Sequence, residues 1–67
     1  MKIDRIADRY CDIMREIYIA NKYNMTDILK YLCDIRDILK KEAEIMGYSL
    51  YYSELHDIAS YEYNDTY

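Results

Sequence analysis

An all-α fold is what this chain of 67 residues predicts, and three observations predict it. Apolar residues recur at spacings of three and four over two long stretches, proline is absent, and the only glycine, Gly47, falls just after the second stretch. Helical periodicity without internal breakers is the pattern of amphipathic helices. The expected architecture is an antiparallel two-helix hairpin plus a short third helix, assembling as a homodimeric helical bundle.

The first helix is expected over residues 3–21. Ile3, Ile6, Tyr10, Ile13, Ile17 and Ala20 form an a/d heptad stripe, widened by Met14 and Tyr18. Asn21-Lys22-Tyr23-Asn24 then interrupts it with polar residues. The second helix is expected over 25–46, where Ile28, Leu32, Ile35, Leu39 and Met46 continue the rhythm and Glu42 breaks it. Leu29, Ile38 and Ile45 add a second apolar row, so this helix should meet more than one neighbour. Either Asn24 or Thr26 is expected to cap it, Asn24 with Asp27 approximating a capping box. Gly47 suits the left-handed residue that follows a helix end. Ser49 offers an N-cap for a third helix over 49–62, carrying Leu50, Leu55, Ile58 and Ala59, with residues 63–67 frayed. No stretch is read as alternating with period two, so no strand is expected.

Charges three or four apart, among them Arg5–Asp8, Asp12–Arg15 and Asp37–Lys41, describe solvated helix faces. Each such pair stabilises a helix by roughly 0.2–0.5 kcal/mol. Asp4, Asp8, Asp12 and Glu16 form an acidic row at steps of four, which Arg5, Arg9 and Arg15 flank and neutralise.

Size and composition bound the rest. At 52% hydrophobic and 33% charged the chain is too apolar to be disordered. A chain this short buries only about 60% of its unfolded surface, so a second copy is expected to supplement the core. That contact is assigned to Ile3, Ile6, Tyr10, Ile13, Ile17, Ile28, Leu32, Ile35 and Leu39. Cys11 and Cys33 lack the spacing of a zinc site and read as free, buried packing residues of a reducing cytoplasm, although a Cys11–Cys33 crosslink is conceivable in a hairpin. No metal or cofactor is expected. Charges every few residues from Lys2 onward leave no apolar run for a leader or a membrane span.

Catalysis has little to stand on. Ser53 lies three residues before His56, the one histidine, yet no oxyanion loop accompanies them and a single glycine forms no phosphate loop. Ala43-Glu44-Ile45-Met46-Gly47-Tyr48-Ser49 resembles the turn of helix-turn-helix proteins, and Gly47 to Tyr52 is similar to that of AraC-type regulators. The resemblance implies a transcription regulator using residues 39–58. Ser53 and His56 occupy the positions where that family needs apolar residues. The implied recognition helix also carries no base to meet phosphate. Ser53-Glu54-Leu55-His56-Asp57 resembles, at its first and last residues, the signature of a family of short helical-hairpin aspartyl-phosphate phosphatases.

The charge distribution carries the functional expectation. Residues 1–41 hold all nine bases and seven acids, whereas residues 42–67 hold six acids, no base and six of the ten tyrosines. Exposed tyrosine is a favoured interface residue, and acids between tyrosines select a basic partner. Tyr48, Tyr51, Tyr52, Glu54, Asp57, Tyr61, Glu62, Tyr63 and Asp65 are therefore the candidate partner-binding residues. The expected function is a small, acidic, non-enzymatic protein-binding module that makes no direct contact with nucleic acid or membrane. It is read as an inhibitor or regulator that blocks a basic, nucleic-acid-binding type of surface. The abundance of Ile, Tyr, Asn, Lys and Asp indicates an AT-rich genome, which suits an anti-defence protein of a phage or mobile element. The helix-turn-helix regulator is the alternative, and a purely structural oligomerisation element is the third reading.

Overall fold

The computed structural model describes residues 2–64, and its fold is α+β. Two helices, α1 (Ile3–Lys22) and α2 (Thr26–Ile45), precede two strands, β1 (Tyr48–Ser53) and β2 (Ile58–Tyr63). The strands pair antiparallel, with Tyr48 opposite Tyr63, Leu50 opposite Tyr61 and Tyr52 opposite Ala59. The expected all-α bundle with a third helix over 49–62 is thereby overturned. Ser49 caps nothing: it lies within β1, and its hydroxyl donates to Asn64 Oδ1 at 2.9 Å.

The physical reason lies in the side-chain period. Tyr48, Leu50 and Tyr52 share one face of β1, and Ala59, Tyr61 and Tyr63 share the same face of β2. Ala59-Ser60-Tyr61-Glu62-Tyr63 alternates apolar and polar, which is a strand period. Tyrosine and isoleucine also fit a half-buried pleated surface better than a short helix. The helical reading joined Leu50, Leu55, Ile58 and Ala59 into one face; Leu55 instead lies in the loop between the strands.

Both helices stop at left-handed residues. Gly47 has φ +88 and follows the Met46 cap, as expected of a C′ glycine. Asn24, with φ 55, ends α1 rather than capping α2. Met25 N–H donates to Ala20 O at 2.8 Å and Asn24 N–H to Asn21 O at 3.3 Å, the two bonds of a Schellman motif. Met25 is the residue before α2, and no side chain caps that helix end, so neither Asn24 nor Thr26 does so.

The sheet covers one side of the helical pair, with β1 against α2 and both strands against α1. Ile6, Ala7, Tyr10, Leu39, Ala43 and Leu50 form the buried core, edged by Ile3, Ile13, Met14, Ile35, Tyr48, Tyr52 and Ala59. Ala20 and Leu32 are buried nearer the turn between the helices. This arrangement corrects the surface assigned to a second copy. Ile6, Tyr10, Leu32 and Leu39 are consumed by the chain's own core, Ile3, Ile13, Ile17 and Ile35 are half-buried, and only Ile28 stands exposed. No helix among the described residues is long and apolar enough to cross a membrane.

Candidate functional site

The hairpin presents two unlike faces, and the candidate binding residues divide between them. The inward face packs on the chain itself, although Tyr61 and Tyr63 keep exposed surface. Tyr48 packs edge-on against Tyr61 and Tyr63, with ring centroids 5.4 and 5.3 Å apart. The Tyr61 hydroxyl donates to Asp4 Oδ1 of α1, which raises the Tyr61 pKa above its ordinary value.

Asp57 forms the second tie. It ends the loop between the strands in the left-handed region, φ 51, a conformation that Asp tolerates through its short polar side chain. Its Oδ1 accepts from the Tyr52 hydroxyl at 2.6 Å, and its Oδ2 accepts from Arg15 Nε at 2.8 Å. The Tyr52 bond, with Arg15 beside it, holds the Asp57 carboxyl below the usual carboxylate range, against some opposing burial. The same bond pushes the Tyr52 phenol up to about 12. Hydrogen bonding to the charged form of one partner and the neutral form of the other accounts for both directions. Arg15 also reaches Asp12 at 3.5 Å and Cys11 Sγ at 3.8 Å, and the Cys11 thiol donates to Asp57 O at 3.5 Å. Cys11 and Cys33 are both free thiols, each half-buried.

These bonds reassign several residues. Arg15 on Asp57 and Asp4 on Tyr61 hold the hairpin to α1, Tyr52 braces Asp57 from within the hairpin, and Tyr48 packs at the core edge, while Asp57 and Tyr61 keep exposed surface. The acidic row of α1 is likewise divided, Asp4 serving Tyr61 and Asp12 serving Arg15. Ser53 and His56 do meet, but through the His56 backbone N–H donating to Ser53 Oγ at 3.4 Å within the loop. The imidazole takes no part, and the helix face that would have joined it to the serine does not exist. The helix-turn-helix reading of residues 39–58 fails for the same reason, since its second helix is β1 and a loop. The segment matched to the phosphatase signature is that loop as well.

The outward face is what remains. Ser49, Tyr51 and Ser53 from β1 and Ile58, Ser60 and Glu62 from β2 point away from the core. Tyr51 sits opposite Ser60, so Ile58 is its diagonal neighbour, within reach of an aromatic ring. Leu55, at the loop tip, is 87% exposed and Ile58 is 60% exposed. Glu54 and Glu62 stand exposed beside this apolar group, and Tyr63 is exposed at the open end of the hairpin. Asp65 lies outside the described residues. Leu55 and Ile58 were missed by sequence reasoning because a helix would have turned them inward. Their signal was the alternation that places Ala59, and not Ile58, on the covered face.

Among the described residues, no group of three or more His, Cys, Asp or Glu side chains converges on a common point. Comparison of the chain with family models, with curated proteins and with solved structures finds no significant match.

Proposed function

We propose that this chain is a small, non-enzymatic protein-binding module that docks by the outward face and tip of its β-hairpin on a basic surface of another protein. The observation that carries this reading is the exposure of Leu55 and Ile58 on an element that contains no lysine or arginine. Large apolar side chains grouped with tyrosine and rimmed by charge are the composition of a protein contact surface. Glu54 and Glu62 supply the rim and its sign, and they favour a partner of opposite charge.

Asp57 does not belong to that surface, because Arg15 answers its charge. The contact is therefore centred on Tyr51, Leu55 and Ile58, with Glu54 and Glu62 speeding encounter. A basic site so occupied is closed to nucleic acid, which makes the mechanism steric and electrostatic blockade. Free Cys11 and Cys33 suit a reducing cytoplasm as the place where this happens.

The test is capture from cells of the source by the wild-type chain and by a Leu55→Asp/Ile58→Lys variant. Both substitutions fall on exposed side chains, so far-UV circular dichroism should be unchanged. A discrete protein held by the wild type, released by salt and absent with the variant is the expected result. Equal capture by the variant would reject the hairpin face.

A further inference from the structure

Helix α2 carries two apolar rows; the chain buries one and leaves the other largely open, with Ile35 alone reaching the edge of the core. Leu32, Leu39 and Ala43 are buried. The second row runs Ile28, Tyr31, Ile35, Ile38 and Ile45, the a/d spacing of a coiled-coil seam, with Glu42 at the place left polar. Successive residues turn by about 100° around a helix, which sets this row on one flank of the buried one. That flank faces away from the sheet. Lys40 and Glu44 border a hollow with β1, whereas Ile35 and Ile45 border hollows shared with Arg9, Ile13 and Ile6 of α1. Tyr31, Ile38 and Ile45 are 67, 57 and 85% exposed.

The charges along the outer edge of the row identify its occupant. Asp27, Asp34 and Lys41 follow one another at steps of seven, acidic in the first half of the helix and basic in the second. Among the described residues, neither Asp34 nor Lys41 takes part in an ion pair. A row whose charge reverses along its length is complementary to its own antiparallel copy, which is what a twofold interface requires. With the axis near Ile38, Tyr31 meets Ile45 of the other copy and Asp34 meets its Lys41. An anionic membrane fits this face less well, because interfacial helices carry Lys and Arg on their polar edge, and here two of three edge residues are acids.

We propose that a second copy of this chain occupies the exposed row of α2, as an antiparallel α2–α2 pair about a twofold axis near Ile38. A helix of 20 residues is about 30 Å long, and one such seam offers less than the ~800 Å² per partner of a standard interface. The dimer is therefore weak and concentration-dependent. It leaves the hairpin faces free, so the pair displays two of them.

Sedimentation equilibrium of the full chain, from micromolar to millimolar concentration, tests this. The expected result is a reversible monomer–dimer equilibrium, abolished by Ile38→Lys, which brings two like charges together at the axis. Asp34→Lys and Lys41→Asp should each weaken the dimer several-fold, and the double exchange should restore it. A wild-type chain that remains monomeric throughout would overturn the proposal and leave the row to a different protein. A dimer indifferent to Ile38→Lys, or a double exchange no tighter than the single ones, would equally overturn it. Far-UV circular dichroism of each variant verifies that the fold is retained.

Discussion

The helical pair and the β-hairpin belong to one body but are held to it by different forces. The helices supply Ile6, Ala7, Tyr10, Ala20, Leu32, Leu39 and Ala43 to the buried set, and the hairpin supplies only Leu50. Half-buried Tyr48, Tyr52 and Ala59 add to the hairpin's contact, and the rest of its attachment is polar: Arg15 on Asp57, which Tyr52 braces from within the hairpin, and Tyr61 on Asp4. Apolar burial is indifferent to pH, whereas bonds between phenols and carboxylates titrate. The hairpin, which carries the proposed binding face, is thus the part that conditions can loosen while the helices stay together.

The largest effect should come from the region that buries most. Leu39→Ala removes a side chain at the centre of the core, and such deletions cost about 2–5 kcal/mol. A chain of this size has a margin of only about 3–5 kcal/mol, so thermal melting followed by circular dichroism should show the variant largely unfolded at room temperature. A variant that still melts cooperatively near the wild-type temperature would show that the helical pair is not the main source of stability.

A smaller and more local effect is expected at the joint between the regions. Gly47 holds φ +88, and a Cβ there would approach Tyr63 Cε1 to 3.2 Å. Gly47→Ala should cost roughly 1–2 kcal/mol through backbone strain alone. Amide exchange should quicken in the strands before it does in the helices. Uniform quickening would mean that helices and hairpin unfold as one unit.

The smallest effect on stability, and the clearest on titration, concerns Asp57. Its carboxyl is held below the ordinary value of about 3.9, so its contribution is present above that pH and is lost as pH falls through the depressed value. Tyr52 is displaced the opposite way. Its contribution is complete below the ordinary value of about 10 and is lost as pH rises through about 12. The Tyr52–Asp57 bond is therefore firmest between these limits. Tyr10 and Tyr61 are also raised, by burial and by Asp4 respectively, so differences between variants are the useful reading. In an alkaline titration followed by tyrosinate absorbance, Tyr52→Phe should remove one late-ionising group and Asp57→Asn should shift it earlier. Identical curves for wild type and both variants would break the assignment.

The same contrast separates what was legible in the sequence from what was not. The two helices could be read because Ile6, Tyr10, Leu32 and Leu39 repeat at helical spacing and Gly47 marks the end. The hairpin could not be read from its turn, because Glu54-Leu55-His56-Asp57 contains no glycine or asparagine. Asp57 itself takes the left-handed conformation, and Ser53 Oγ accepts the loop N–H of His56. Asn24 misled in the opposite sense, since a helix stop and a helix cap draw on the same residue type. As for the candidate site, the acids and tyrosines were visible, but their division into inward and outward faces was not. That division depends on Arg15 and Asp4, which lie 42 and 57 residues from their partners. Local pattern carries no information about pairs so far apart.

The bond between Asp4 and Tyr61 has a consequence for how the chain comes into being. It joins the first turn of α1 to β2, so this body closes only once β2 has been made. A ribosome releases the helices first, as an αα-hairpin whose Ile6, Ala7 and Leu39 still lack the Leu50 side of their shelter. Until β2 emerges and returns to α1, this intermediate presents to chaperones and proteases the apolar surface that the finished molecule hides.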